Sequence, residues 1–248
     1  MISFASFIAR SHFLISFLLS FFVLNQLLAK NPNQFVDVTF EAGIDFRHHD
    51  GRSGQKYLLE TLGSGASFFD YDNDGDTDLY IVNGADLPGC VSPVSPTNIL
   101  YRNNGNGTFT DMTKIAGVGN MQYGVGCAAA DYDNDGDVDL LVFNCNQSVT
   151  LLRNDGGNAN NWLAVKLVGV QSNRDGIGAR IRVTVEGEVR MAEVQSAASY
   201  LSANDLRVIF GLGRKKVVDE IEVLWPGGNK QTLTSIKANQ LIEITEKI

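Results

Sequence analysis

The sequence predicts an all-β fold: partial β-propeller-like blades followed by a small antiparallel β domain. Three observations carry this. An acidic loop flanked by two short apolar runs occurs twice, 61 residues apart. Beyond residue 159, short runs of alternating apolar and polar residues recur between Gly-containing turns. After residue 30, no stretch has the apolar spacing of a long amphipathic helix.

The first thirty residues stand apart from the fold. Arg10 supplies a positive start, Phe13 to Leu24 is apolar apart from serines, and Leu27-Leu28-Ala29 ends in a small residue before Lys30. This pattern predicts a secretory signal peptide over 1–29 and an extracellular or periplasmic protein. The alternative is an N-terminal membrane anchor, since the uncharged stretch Ser11–Ala29 is close to the ~20 residues that span a bilayer. Asn25 and Gln26 inside that stretch weigh against it.

The repeat comes next. At an offset of 61, Gly63–Asn83 aligns with Gly124–Asn144 with 12 identities in 21 positions. Phe35–Ile44 resembles Phe109–Val118, and Leu100-Tyr-Arg102-Asn103 resembles Leu151-Leu-Arg153-Asn154. The unit therefore reads strand, acidic loop, strand, variable loop, strand. Its length of about 60 residues is in the range of a propeller blade. Asn103-Asn104-Gly105-Asn106-Gly107 has the composition of a hairpin turn.

Both acidic loops read D-Y-D-N-D-G-D-x-D-L. Their carboxylates alternate: Asp70, Asp72, Asp74, Asp76 and Asp78, then Asp131, Asp133, Asp135, Asp137 and Asp139. Five like charges within nine residues repel unless a cation neutralises them. A hard divalent ion with oxygen ligands answers that need. Gly75 and Gly136, sixth in each loop, permit the sharp turn that wraps a chain around an ion. By analogy with other DxDxDG loops, positions 1, 3, 5 and 9 offer side chains, and Asp76 and Asp137 offer backbone carbonyls. Asn73 and Asn134 are expected to point away. Two structural Ca2+ sites are predicted, with magnesium disfavoured because it keeps its waters. An EF-hand is excluded: position 12 is Ile81 or Val142 instead of a bidentate Glu.

From Asn161 onward, 12 basic residues face 10 acidic ones and no Asp-rich loop recurs. Strands are predicted at Trp162–Val168, Ala179–Val185, Val189–Val194, Leu206–Phe210, Ile221–Trp225 and Gln240–Thr245. In the second, Ile181, Val183 and Val185 share one face, and Arg180, Arg182 and Thr184 the other. Repeat region and β domain are thus placed at 30–158 and 159–248.

Charge agrees with this division. The chain has 248 residues, 28 acidic and 20 basic side chains, and a net charge of -8. Without the ten loop carboxylates the remainder is +2. Such a chain has no sequence-independent grip on nucleic acid, which needs a basic surface. Hydrophobic content of 44% excludes disorder as the main description.

Together these residues resemble known families. Asp70–Leu79 and Asp131–Leu140, with Gly-x-Gly upstream and an aliphatic strand downstream, are similar to FG-GAP/VCBS-type repeats. Asn161-Trp162-Leu163, Asn173 to Arg180, Ser199-Tyr200-Leu201-Ser202, Phe210-Gly-Leu-Gly213 and Val223-Leu-Trp225-Pro-Gly-Gly228 resemble the ASPIC/UnbV domain. The two likenesses cover about residues 35 to 247. They imply a cartilage-acidic-protein-like, extracellular, calcium-binding or adhesive protein without a defined activity. One departure stands out: such propellers usually carry four or more blades, and two cannot close a ring. A shortened relative, a partial gene product, or a piece completed by association would each account for it. Open blade edges favour self-association.

Other candidates are weaker. His48 and His49 are adjacent, so on a strand they point to opposite faces and do not make a two-histidine metal site. Glu60 has no nucleophile or oxyanion motif with it. Cys90, Cys127 and Cys145 fit no zinc spacing and leave one disulfide plus one thiol, or three thiols, open. Asn106-Gly-Thr108 and Asn146-Gln-Ser148 are sequons, meaningful in a eukaryotic source. The expectation is a non-enzymatic module binding an extracellular protein or glycan. The rivals are a hydrolase with its site between repeats and β domain, and a structural fragment needing a partner chain.

Overall fold

The computed structural model describes residues 35–197 and 199–247; the signal peptide expected at 1–29 lies outside them. All the elements below belong to one compact unit, Thr39–Ile248.

The first repeat forms a four-stranded antiparallel sheet: β1 (Ala66–Phe69), β2 (Asp78–Ile81), β3 (Ile99–Asn103) and β4 (Phe109–Asp111), in that spatial order. The second forms β5 (Gly124–Ala130), β6 (Asp139–Asn144) and β7 (Thr150–Leu152). Pairing in both hairpins ends on the acidic loop: Phe69 faces Asp78, and Ala130 faces Asp139. This register brings the first and ninth loop positions side by side. A single-turn helix, α1 (Thr113–Ala116), follows β4 and stops at Gly117, which is left-handed with φ 70.

The remaining eight strands are β8 (Asn161–Val168), β9 (Arg180–Val185), β10 (Glu188–Glu193), β11 (Ala203–Asn204), β12 (Val208–Gly213), β13 (Val217–Leu224), β14 (Lys230–Lys237) and β15 (Gln240–Thr245). They build a four-stranded sheet β10-β9-β13-β14 and a three-stranded sheet β12-β8-β15. In the latter, β15 runs parallel to β8. The alternation in β9 is realised: Ile181, Val183 and Val185 are buried, and Arg180 and Arg182 are exposed. The two sheets enclose one core of Leu163, Val165, Ile181, Val183, Leu212, Val218, Ile221, Val223 and Trp225. Each such aliphatic side chain contributes roughly 1.5–3 kcal/mol on burial.

A strand absent from the sequence reading joins the two halves. β11 pairs in parallel with β5, so the second blade reads β11-β5-β6-β7. The blades themselves meet at their inner strands, where Gly65 N donates to the Val125 carbonyl and Gly124 N to the Asn83 carbonyl. The repeated Gly-x-Gly is a packing device. A Cβ on Gly65 would strike Ser202, and one on Gly126 would strike the Leu201 backbone. The blade core holds Tyr80, Val82, Leu100, Cys127, Leu140 and Val142.

Candidate metal centre

The two acidic loops share the hydrogen bonds that hold their first, fifth and ninth carboxylates. In the first, Asp70 accepts the backbone N–H of Asp74 at 3.1 Å and of Gly75 at 2.8 Å. In the second, Asp131 accepts those of Asp135 and Gly136, both at 3.2 Å. Asp78 is held by Tyr71 N at 3.0 Å and Asn103 N at 2.8 Å; Asp139 by Tyr132 N at 3.1 Å and Asn154 N at 2.8 Å. The repeated Leu-x-Arg-Asn motif therefore ends in an asparagine whose N–H orients the ninth-position carboxylate. Gly75 and Gly136 have φ 99 and 97, a region open to glycine and strained for other residues.

These bonds converge the first, third and ninth carboxylates. Asp70, Asp72 and Asp78 place ligand oxygens within 4.8 Å of one another, as do Asp131, Asp133 and Asp139. Asp74 and Asp135 lie outside these trios. Each accepts the N–H of the seventh residue, at 2.8 Å from Asp76 and 2.9 Å from Asp137. The Asp76 side chain turns toward Gly105, while Asp137 is fully buried. Asn73 and Asn134 both have positive φ. Asn73 reaches across to the second loop, donating to the Gly136 carbonyl at 3.1 Å and to Asp137 at 3.3 Å.

The trios are electrostatically unsatisfied as bare carboxylates. Burial, then the charges of Asp78 and Asp74, push the Asp70 carboxyl up to about 8. Burial pushes Asp78 up to about 7. Asp72, Asp131 and Asp139 are also raised, burial being the largest cause in each. An all-oxygen donor set that resists ionisation without a counter-charge fits a hard divalent cation. Both trios could hold a metal ion.

The environment of the loops comes largely from the C-terminal half, which sequence reasoning did not connect to them. Asn160 donates to the Asp72 carbonyl at 2.9 Å, Asn154 to that of Tyr71 at 2.7 Å, and Gly213 N to that of Asn73 at 2.9 Å. Arg190 donates to the Gly211 carbonyl and, at 3.4 Å, to that of Asp74. Arg207 donates to the Asp131 carbonyl and to Asn134 Oδ1, both at 2.5 Å. The Trp162 ring covers Gly136 so closely that a Cβ there would overlap it. The only signal in the sequence was the pairing of Asn103 with Asn154 in the repeat.

Among the described residues no helix is long and apolar enough to cross a membrane. Cys90, Cys127 and Cys145 are free thiols, and Cys127 is buried beside Ser202, whose hydroxyl accepts the Cys127 N–H at 3.1 Å.

Two family models match. One, FG-GAP-like repeat, covers residues 70–142, and the other, ASPIC and UnbV, covers residues 169–248. Among curated proteins, cartilage acidic protein 1 of Mus musculus is 48% identical over 50 residues, 20% of this chain and 8% of that protein. Its counterpart in Xenopus tropicalis is 44% identical over 67 residues, 27% of this chain and 10% of that protein. That of Homo sapiens is 46% identical over 50 residues, again 20% and 8%. The matched segments thus span a tenth or less of these relatives. Residues 70–142 are thus similar to FG-GAP-like repeats and residues 169–248 to the ASPIC and UnbV domain, and part of the chain is similar to cartilage acidic protein 1.

Proposed function

We propose that this chain is an extracellular, calcium-stabilised β-repeat protein that binds a protein or glycan partner. The observation that carries the calcium reading is the duplicated convergence of three carboxylates, Asp70/Asp72/Asp78 and Asp131/Asp133/Asp139. These six residues hold the two ions. Asp74 and Asp135 complete the loops from position 5, with the carbonyls of Asp76 and Asp137. Calcium supplies the charge that lets the buried carboxylates ionise together. Its role is structural, because each loop sits where blade hairpin and ASPIC/UnbV domain meet.

The extracellular reading rests on the signal-peptide pattern and on the likeness to cartilage acidic protein 1. The adhesive reading rests on the likeness of residues 70–142 to FG-GAP-like repeats. A cavity of about 310 Å3 does open between the first loop and β10, lined by residues including Asp70, Arg190, Glu193 and Arg207. Besides Thr77 and the carboxylates of Asp70, Glu193 and Asp205, its described lining contains no Ser, Cys, His or Lys. Self-association would use the open edges β4 and β7, which end their sheets.

Light scattering after size exclusion, with calcium and with EDTA, tests the assembly reading. Calcium-dependent folding with self-association supports it; a calcium-insensitive monomer contradicts it. A screen against matrix proteins and cell-surface glycans tests the partner. Turnover of a generic ester, phosphate or glycoside would instead favour the hydrolase.

A further inference from the structure

We propose that His49, Asp86 and Cys90 form a zinc site separate from the acidic loops. The three come together from a loop before β1 and the long loop between β2 and β3. His49 Nε2 lies 2.8 Å from Asp86 Oδ1. The Cys90 thiol donates to the same oxygen at 3.4 Å, and its sulfur lies 4.0 Å from His49 Nε2. All three ligand atoms fall within 4.8 Å of one another. Tetrahedral zinc with ordinary bond lengths separates N, O and S ligands by about 3.3–3.6 Å. The triangle needs shifts of only a few tenths of an ångström to accept the ion.

The surroundings orient these atoms. The His49 backbone N–H donates to Asn83 Oδ1 at 2.8 Å, pinning the histidine to the end of β2. Ser92 donates twice to Asp86, from its backbone N–H at 2.9 Å and its hydroxyl at 2.6 Å. Those contacts fix the carboxylate as outer-shell partners fix metal ligands. Cys90 N closes a turn on the Leu87 carbonyl at 2.8 Å, which brings the sulfur back over Asp86. The His49 and Asp86 side chains are 25% and 33% exposed, so an ion and a fourth, solvent ligand can enter.

Donor chemistry selects the ion. One imidazole, one thiolate and one carboxylate suit zinc, whereas calcium takes oxygen ligands alone. The site is therefore independent of the calcium reading, and calcium does not compete for it.

The test uses the full mature chain, stripped with EDTA and reloaded with calcium, then titrated with zinc against a chromophoric chelator and, separately, with cobalt(II). One zinc per chain is expected, with a sulfur-to-cobalt charge-transfer band. C90S is expected to abolish that band, and both C90S and H49Q to weaken zinc about 100-fold or more, since outer-shell losses alone cost about 10- to 100-fold. Melting in calcium without zinc checks that each variant folds. Zinc binding unchanged in both variants, a cobalt complex lacking the thiolate band, or Cys90 found in a disulfide would each overturn the proposal.

Discussion

Asn73 donates a hydrogen bond to Asp137 at 3.3 Å, joining the fourth residue of one acidic loop to the seventh residue of the other. Both side chains are fully buried. The loops are thus one structural unit. Order imposed on either loop is therefore expected to reach its neighbour through that contact and the Gly136 carbonyl beside it.

Asn73→Ala removes both bonds and leaves buried acceptors at Gly136 and Asp137 short of a donor. Losing such a donor costs about 1–3 kcal/mol. The expected result is a lower denaturation midpoint with calcium present and weakened calcium binding at both loops. A calorimetric titration in which one loop alone is affected would contradict the coupling.

Arg207 ties the C-terminal β domain to the second loop through the Asp131 carbonyl and Asn134. Its companion Asp205 lies 2.5 Å away, and both side chains are about four-fifths buried. Arg207→Ala leaves Asp205 without its partner in a poorly hydrated place, which is costlier than losing an exposed pair. Increased hydrogen exchange in β5 and β11, with little change in β13 and β14, is the expected signature.

The raised carboxyls make stability depend on pH in the metal-free protein. Asp70 titrates near 8 and Asp78 near 7 in the folded state, against an ordinary 3.8 for an Asp carboxyl. The folded state therefore holds more protons between about pH 4 and pH 8, so its stability falls as pH rises through that window. Melting in EDTA should drop from pH 5 to pH 8, and saturating calcium should remove or reverse the slope. A flat or rising EDTA profile would contradict the assignment.

Glu246 acts in the opposite sense. Its carboxylate accepts the backbone N–H groups of Val170, Gln171 and Ser172 at 2.8–2.9 Å, and the Ser172 hydroxyl at 2.8 Å. The Ser172 N–H first, with those of Val170 and Gln171 and the hydroxyl, pulls it down to about 2. Its stabilisation is present above its ordinary 4.5 and is lost as pH falls toward 2. Glu246→Gln should lower the melting temperature at pH 7 and narrow the gap to the parent at pH 3.

Much of this was legible from residue types alone. The loops announced themselves because metal-ligand alternation and an obligatory glycine leave a register that survives duplication. Strand β9 was legible because one face of a buried sheet enforces a period of two. Strand β11 was not: two residues, Ala203 and Asn204, carry no periodicity, and their partner in β5 is about 75 residues away. Strand β14 was missed because Lys230–Lys237 is an edge strand with mostly exposed polar residues. Asn73 was expected to point away from the ion; its role at the other loop depends on how the blades stack. His49, Asp86 and Cys90 share no spacing rule, since two separate loops bring them together.

The most direct test is an isothermal titration of the mature chain with calcium at neutral pH, beside a D70N/D131N variant. Two calcium ions per parent chain, none in the variant, and a higher melting temperature on binding are expected. No calcium uptake by the parent at millimolar concentration would contradict the calcium reading.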